Sequence, residues 1–271
     1  MNRHLVTPYL MGQRRDGLAR VTELDHHGWD VLLRPDYDAV HLDGANEKLR
    51  RMGGVYALLA GAVERVARAG QRPVSVAGDC VSTLGVLAGL QRAGKTPDRI
   101  LWLDAHGDFH TWATSQTKYL GGMPLAMLVG RDDRRRGERN AIDAMRREIG
   151  VQPYPEERII LSDARDLDPG EKESLEASAI TVCDIEEIPG YLLQHESLYL
   201  HWDTDVLDAS VELPSLKYQV SGGPGIAQLA ELFRLLKSFP LLAVSVSAWH
   251  EEQDTGDRAA SACLALLSEL D

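Results

Sequence analysis

Residues 101–111 read LWLDAHGDFHT. The apolar run Ile100, Leu101, Trp102, Leu103 predicts a buried strand, and it stops at Asp104, His106 and Asp108, spaced two apart. In extended chain, residues i, i+2 and i+4 project to one side. The spacing therefore predicts two carboxylates and an imidazole converging at a strand end. Like charges that close disfavour joint ionisation. A divalent cation between them removes the conflict, and carboxylate-rich sets are what such ions bind.

Outward from this stretch, short apolar runs alternate with helical patterns. Strands are predicted at residues 5–9, 31–34, 74–77, 100–104, 158–161, 180–183, 197–202 and 241–246. Leu49, Met52, Val55, Leu58, Leu59, Ala62, Val63 and Val66 recur at helical spacing, which predicts an amphipathic helix over 46–68. Further helices are predicted over 82–93, 124–130, 140–149, 226–237 and 259–270, and one starting at Pro169. The charged run 131–139 reads as a solvated connection. Such alternation predicts a parallel sheet wrapped by helices. The strand at 197–202 also ends in acids, Asp203, Asp205 and Asp208. In open α/β sheets, ligands bind beyond the carboxyl ends of the strands, so the two acid clusters are expected to form one site.

The bulk numbers bound the function. A chain of 271 residues with 44% hydrophobic residues is expected to form one domain, residues 1–271, with a substantial core. Its formal charge of −12 argues against nucleic acid or an anionic membrane surface as partner. Three cysteines (Cys80, Cys183 and Cys263), with no apolar leader, give no disulfide framework. No stretch reaches the roughly 18 apolar residues of a membrane span. The expectation is a cytoplasmic protein.

Asp104, His106, Asp108, Asp203 and Asp205 suit hard or borderline divalent ions such as manganese. Four acids exceed the needs of one ion, so two ions sharing bridging carboxylates are expected, and such a pair can generate a hydroxide nucleophile.

These residues carry a family resemblance. DAHGD at 104–108 and HWDTDVLD at 201–208 resemble the two main metal motifs of the arginase/agmatinase (ureohydrolase) superfamily. Its Gly-Gly-Asp-His-Ser motif is matched by Ala77-Gly78-Asp79-Cys80-Val81, and RDLDPGE at 165–171 is similar to the segment that holds the substrate's α-amino group. The resemblance implies a three-layer fold, a mainly parallel sheet of about eight strands flanked by helices. It implies two divalent ions, Mn(II) for choice, one held by Cys80, Asp104, Asp108 and Asp203, the other by His106, Asp104, Asp203 and Asp205. It implies a metal-bridging hydroxide attacking a guanidinium carbon, with Asp108 accepting a proton and urea or a substituted urea released. His110, Thr117, Asp168 and Glu171 would bind substrate. Trimers and hexamers are common in the family, so a homo-oligomer is expected.

Three departures qualify this picture. Cys80 stands where the family has a histidine ligand; a thiolate there shifts preference toward softer ions such as zinc or iron. The family's proton-shuttle histidine falls at Gly121, leaving His110 as the nearby candidate. A hydroxyguanidine substrate, with a leaving group of lower pKa, would need less proton help. The family's guanidinium-binding glutamate falls at Ala248, with Glu251 or Glu252 as replacement if the loop is re-registered. Residues 209–221 also depart from the pattern, and Lys217 and Tyr218 are expected to line or flank the pocket. The leading reading is a binuclear hydrolase of an arginine-like or N-hydroxyarginine-like guanidino compound. The alternative is a catalytically decayed, metal-binding or regulatory homologue.

Overall fold

The computed structural model describes every residue except 39–40, 132–135, 209–212, 214–215 and 248, and the side chains of 136–140. Ala248, most of the 131–139 run and part of the 209–221 insert therefore lie outside the described residues. The strands are β1 (Asn2–Thr7), β2 (Tyr9–Leu10), β3 (Gln13–Arg14), β4 (Trp29–Val31), β5 (Arg72–Ala77), β6 (Arg99–Leu103), β7 (Ile159–Ser162), β8 (Thr181–Cys183), β9 (Leu198–Asp203) and β10 (Leu241–Ser247). The helices are α1 (Val21–Leu24), α2 (Ala45–Arg68), α3 (Ser82–Arg92), α4 (Pro124–Val129), α5 (Arg136–Ile149), α6 (Pro169–Glu176), α7 (Ile226–Leu236) and α8 (Arg258–Ser268).

Eight strands form one parallel sheet in the order β4-β1-β5-β10-β9-β6-β7-β8, while β2 and β3 make a small antiparallel ribbon. Its central strands are apolar on both faces, as a sheet covered twice requires. Trp102, Ile100, Tyr199 and Ala243 pack under α2, α3, α4 and α5. Leu101, Leu103, Leu200, Trp202, Val244 and Val246 pack under α1, α7 and α8. This is the expected three-layer arrangement. One strand differs from expectation: the edge strand is Trp29–Val31, not 31–34, because Leu32 N bonds Val6 O just beyond it before the chain turns at Pro35.

Sequence order and spatial order part company in the middle. β10 and β9 sit between β5 and β6. The carboxyl ends of β5, β9 and β6 thus open into one crevice, the position where α/β sheets bind ligands.

Candidate metal centre

A pocket of about 220 Å³ at this edge is lined by Cys80, Asp104, His106, Asp108, Asp203 and Asp205, together with His110, Thr117, Asp168 and Glu171. Every site residue read from the sequence therefore reaches one cavity, though by different means.

Cys80 is delivered by the loop after β5. Asp79, buried beside it, accepts hydrogen bonds from Met11 N and Tyr56 Oη, each at 2.7 Å, and from Val81 N at 3.1 Å. The loop so fixed turns Cys80 Sγ to 2.8 Å from Asp203 Oδ2, where it also accepts from Ser247 Oγ at 3.1 Å. Asp104 follows β6 directly. Its Oδ1 accepts from His106 N at 2.8 Å and its Oδ2 from Trp102 Nε1 at 3.2 Å. His106 Nδ1 lies 3.4 Å from Asp104 Oδ1 and 3.3 Å from Asp205 Oδ2. Asp203 ends β9 and accepts from Asp205 N at 3.1 Å; Asp205 in turn accepts from Ala105 N at 3.3 Å.

Simple strand alternation does not bring Asp108 in. β6 stops at Leu103, and Asp108 has a left-handed φ of 50°, held by Leu125 N donating to its carbonyl at 2.9 Å. The preceding Gly107 is required by packing: a Cβ there would meet Glu171 Cδ at 2.6 Å. The glycine lets α6 close against the loop, and Glu171 accepts from Phe109 N at 2.8 Å. His110 is buried rather than an exposed loop residue, with Nε2 3.2 Å from Asp168 Oδ2 and Nδ1 3.1 Å from Thr114 Oγ1. Thr117 stands on the exposed rim.

The electrostatics explain what the pocket needs. Burial, reinforced by neighbouring carboxylates, pushes Asp108 and Asp205 well above the ordinary carboxylate range, and Cys80 up from that of a thiol. Asp203 is pushed up to about 7 by burial and by Asp104. Burial would raise Asp104 too, but its hydrogen bond to His106 and that residue's charge outweigh it and hold the carboxyl low. Burial would lower His106, yet Asp104 and Asp205 push it up to about 12. Acids crowded out of water in this way retain protons unless a cation replaces them. Asp108 Oδ2 is buried with no hydrogen-bond partner among the described residues. The donor set and this orphaned oxygen fit divalent metal.

The rim departs more from the sequence reading. Tyr119 fills the space beside Gly121, where any Cβ would run into its ring, and its hydroxyl lies 2.6 Å from that of Tyr218. Lys217 and Tyr218 both line the pocket, with Lys217 Nζ donating to Gly78 O at 3.0 Å. Glu251 is held by Arg15 at 2.6 Å and Glu252 lies 3.2 Å from the same guanidinium. Neither lines the pocket, because the salt bridges draw both toward Arg15. Sequence reasoning passed over Asp79, Ser247 and His201; for His201 the signal was its position two residues before Asp203 on one strand.

The sequence model of the arginase family matches residues 15–270. The chain belongs to the arginase family. It is 30% identical over 177 residues to an arginase of Bacillus caldovelox, covering 62% of this chain and 54% of that protein. It is 29% identical over 199 residues to an N(omega)-hydroxy-L-arginine amidinohydrolase of Streptomyces lavendulae, covering 72% and 66%. The match to the B. caldovelox protein thus spans little more than half of that relative's length. In structure, the arginase-family chain resembles native B. caldovelox arginase with a TM-score of 0.80 at 23% identity, covering 99% of this chain and 97% of that one. It resembles Entamoeba histolytica arginase in complex with L-ornithine with a TM-score of 0.81 at 18% identity, again covering 99% and 97%. Among the described residues, no helix is long and apolar enough to cross a membrane.

Proposed function

We propose that this chain hydrolyses a C–N bond of an arginine-like or N-hydroxyarginine-like guanidino compound, releasing urea or a substituted urea and an amine. One observation carries the reading: Cys80, Asp104, His106, Asp108, Asp203 and Asp205 line the same pocket as Asp168 and Glu171. A donor set faces a carboxylate pair suited to an α-amino group. The six residues would hold two divalent ions, manganese(II) being the expected ion for a carboxylate-rich set. When bound, such a pair supplies Lewis acidity and a water of lowered pKa.

The chain's own residues do the remaining work. Asp108, with one oxygen free, takes the proton of the attacking water. His110 lies at the pocket wall between Thr114 and Asp168, where it delivers a proton to the departing amine. Asp168 receives the substrate's α-amino group at the mouth. Glu171, buried behind it, fixes the loop that carries Asp108 and His110 through Phe109 N. The hydroxyguanidino relative supports the N-hydroxy substrate, since Gly121 removes the shuttle histidine and a better leaving group lessens the need for it. The enzyme would act as a single catalytic domain in the cytoplasm, as a homo-oligomer, trimer or hexamer.

The test is turnover of arginine, N-hydroxyarginine and agmatine by the manganese-loaded protein, read as urea or hydroxyurea. Release from at least one supports the proposal. Retained metal with no turnover across the panel would establish the decayed, metal-binding reading instead.

A further inference from the structure

We propose that His201 is a metal ligand. With Cys80 and Asp104 it builds a thiolate–imidazole–carboxylate site at the floor of the pocket, and this side takes zinc(II) in preference to manganese(II). The inference rests on the pocket holding metal, and it alters the ligand set and the ion expected on one side.

The sheet register places His201 there. His201 and Asp203 are two apart on β9 and share a face. In register, His201 pairs with Trp102 of β6 and Ser245 of β10, while Asp203 pairs with Ser247. The row Trp102–His201–Ser245 therefore lies directly beneath the row that carries the carboxylates. His201 is fully buried. The Trp102 ring lies against it, centroids 4.3 Å apart. Its Nδ1 is 2.8 Å from Ser245 Oγ, which is itself 2.5 Å from Tyr199 Oη. Metal-binding imidazoles are held in this manner, the far nitrogen hydrogen-bonded so that the near one is aimed.

The near nitrogen is the telling atom. His201 Nε2 is buried and has no hydrogen-bond partner among the described residues. It lies in a set with Cys80 Sγ and a carboxylate oxygen of Asp104 whose members are all within 4.8 Å of one another. Around zinc, bonds of about 2.0–2.3 Å set ligands roughly 3.5 Å apart, so small side-chain shifts bring all three onto one ion. Cys80 occupies the position where the family motif carries histidine, and a thiol is the smaller group. His201 returns an imidazole to that side from the strand below. Thiolate with imidazole selects zinc, whereas the His106–Asp205 side keeps the oxygen-rich set that suits manganese.

The experiment uses the full chain, stripped with chelator and reloaded with cobalt(II), zinc(II) or manganese(II). The first equivalent of cobalt(II) should give a near-ultraviolet thiolate charge-transfer band, abolished in Cys80→Ser and displaced by zinc(II) but not by manganese(II). His201→Ala should weaken cobalt(II) at this side by about 10- to 100-fold, the scale on which groups orienting metal ligands already act. Melting of the metal-free variant checks its fold. An independent readout needs no variant: in wild-type protein labelled with ¹⁵N-histidine, the His201 Nε2 resonance should shift with the first equivalent of zinc(II). An unmoved Nε2 resonance through two equivalents, equal cobalt(II) affinity in His201→Ala, or manganese(II) displacing the cobalt(II) would overturn the proposal. Metal bound without His201 sinks this inference alone. Coordination by His201 without turnover sinks only the enzymatic reading, and a wild-type chain that binds no metal sinks both.

Discussion

The floor and the rim of the pocket are built on different principles. The floor is sheet: Asp104 and Asp203 stand at adjacent strand ends, and Trp102, His201, Ser245 and Ser247 are in register beneath or beside them. Its geometry follows from strand pairing, and hydrogen bonds from Trp102 and from backbone amides orient its carboxylates. The rim is loop: residues 110–122, the segment at 217–221 and the turn into α6. There Tyr119 fills the space beside Gly121, Lys217 reaches in to Gly78 O, and Asp168 stands at the mouth. A sheet edge tolerates few changes without moving its ligands, whereas loops exchange side chains freely. On this reading, the floor fixes the type of chemistry and the rim selects its substrate.

The largest break in that contrast would come from the floor. Asp203 touches Cys80 and accepts from Asp205 N, so on the proposed assignment it bridges both ions. Asp203→Ala is expected to abolish retention of both metals, from two per chain to none, by elemental analysis. Loss of only one would refute the bridging role. The change removes a carboxyl with a raised pKa, so the metal-free protein should melt no lower than wild type near pH 7.

A second test separates the floor's protons from its metals. Asp203 is raised to about 7 in the fold. A group raised above its unfolded pKa stabilises the fold fully below the unfolded value and loses that stabilisation as pH rises through the folded one. Chelated protein should therefore grow less stable from about pH 4 to pH 7 through Asp203. His106, raised to about 12, has the same sign, its contribution declining from its unfolded value near 6.5 upward. With metal present the slope reverses, because binding displaces these protons and tightens as pH rises. Thermal melts with and without chelator from pH 5 to 8 should diverge; parallel curves would show that the cluster does not exchange protons for metal.

The floor was readable because spacing is a geometric statement. Acids two apart after apolar runs, at 104–108 and 203–205, imply strand ends, and parallel strands bring such ends to one edge. The outline of the sheet was readable for the same reason, from runs of β-branched and aromatic residues between amphipathic helices. Sequence could not show that Asp108 arrives through a left-handed turn, since that depends on Leu125 N and on the fit of Glu171 against Gly107. Nor could it show His201 as part of the floor, because which strands lie beside β9 is decided by crossovers over distant parts of the chain. The rim was least legible. Glu251 looked free to bind a guanidinium, but Arg15, far away in sequence, holds it.

The rim predicts smaller effects. Asp168 is 61% exposed at its side chain, and exposed ion pairs contribute only about 0.2–1 kcal/mol. Asp168→Ala should therefore raise KM for arginine-like substrates by no more than about fivefold with kcat nearly unchanged. It should leave 4-guanidinobutyrate, which has no α-amino group, unaffected. An equal rise for both compounds would show that Asp168 shapes the pocket rather than reads the amine.

Gly121→His asks whether the rim can accept what the family places there. A Cβ at 121 meets the Tyr119 ring, but that ring is 38% exposed at a loop and free to swing outward. The loss is then its hydrogen bond to Tyr218, about 0.5–1.5 kcal/mol, most of it recovered from water because both groups are exposed. Melting should fall by only about 2–4 °C, and the same change in a Tyr119→Ala background should cost nothing further. A much larger loss would mean that Tyr119 cannot leave and that the rim is as rigid as the floor. If the imidazole enters and turnover of arginine rises relative to N-hydroxyarginine, proton delivery to the leaving amine is what the glycine gave up. An unchanged ratio would assign that delivery to His110 for both substrates.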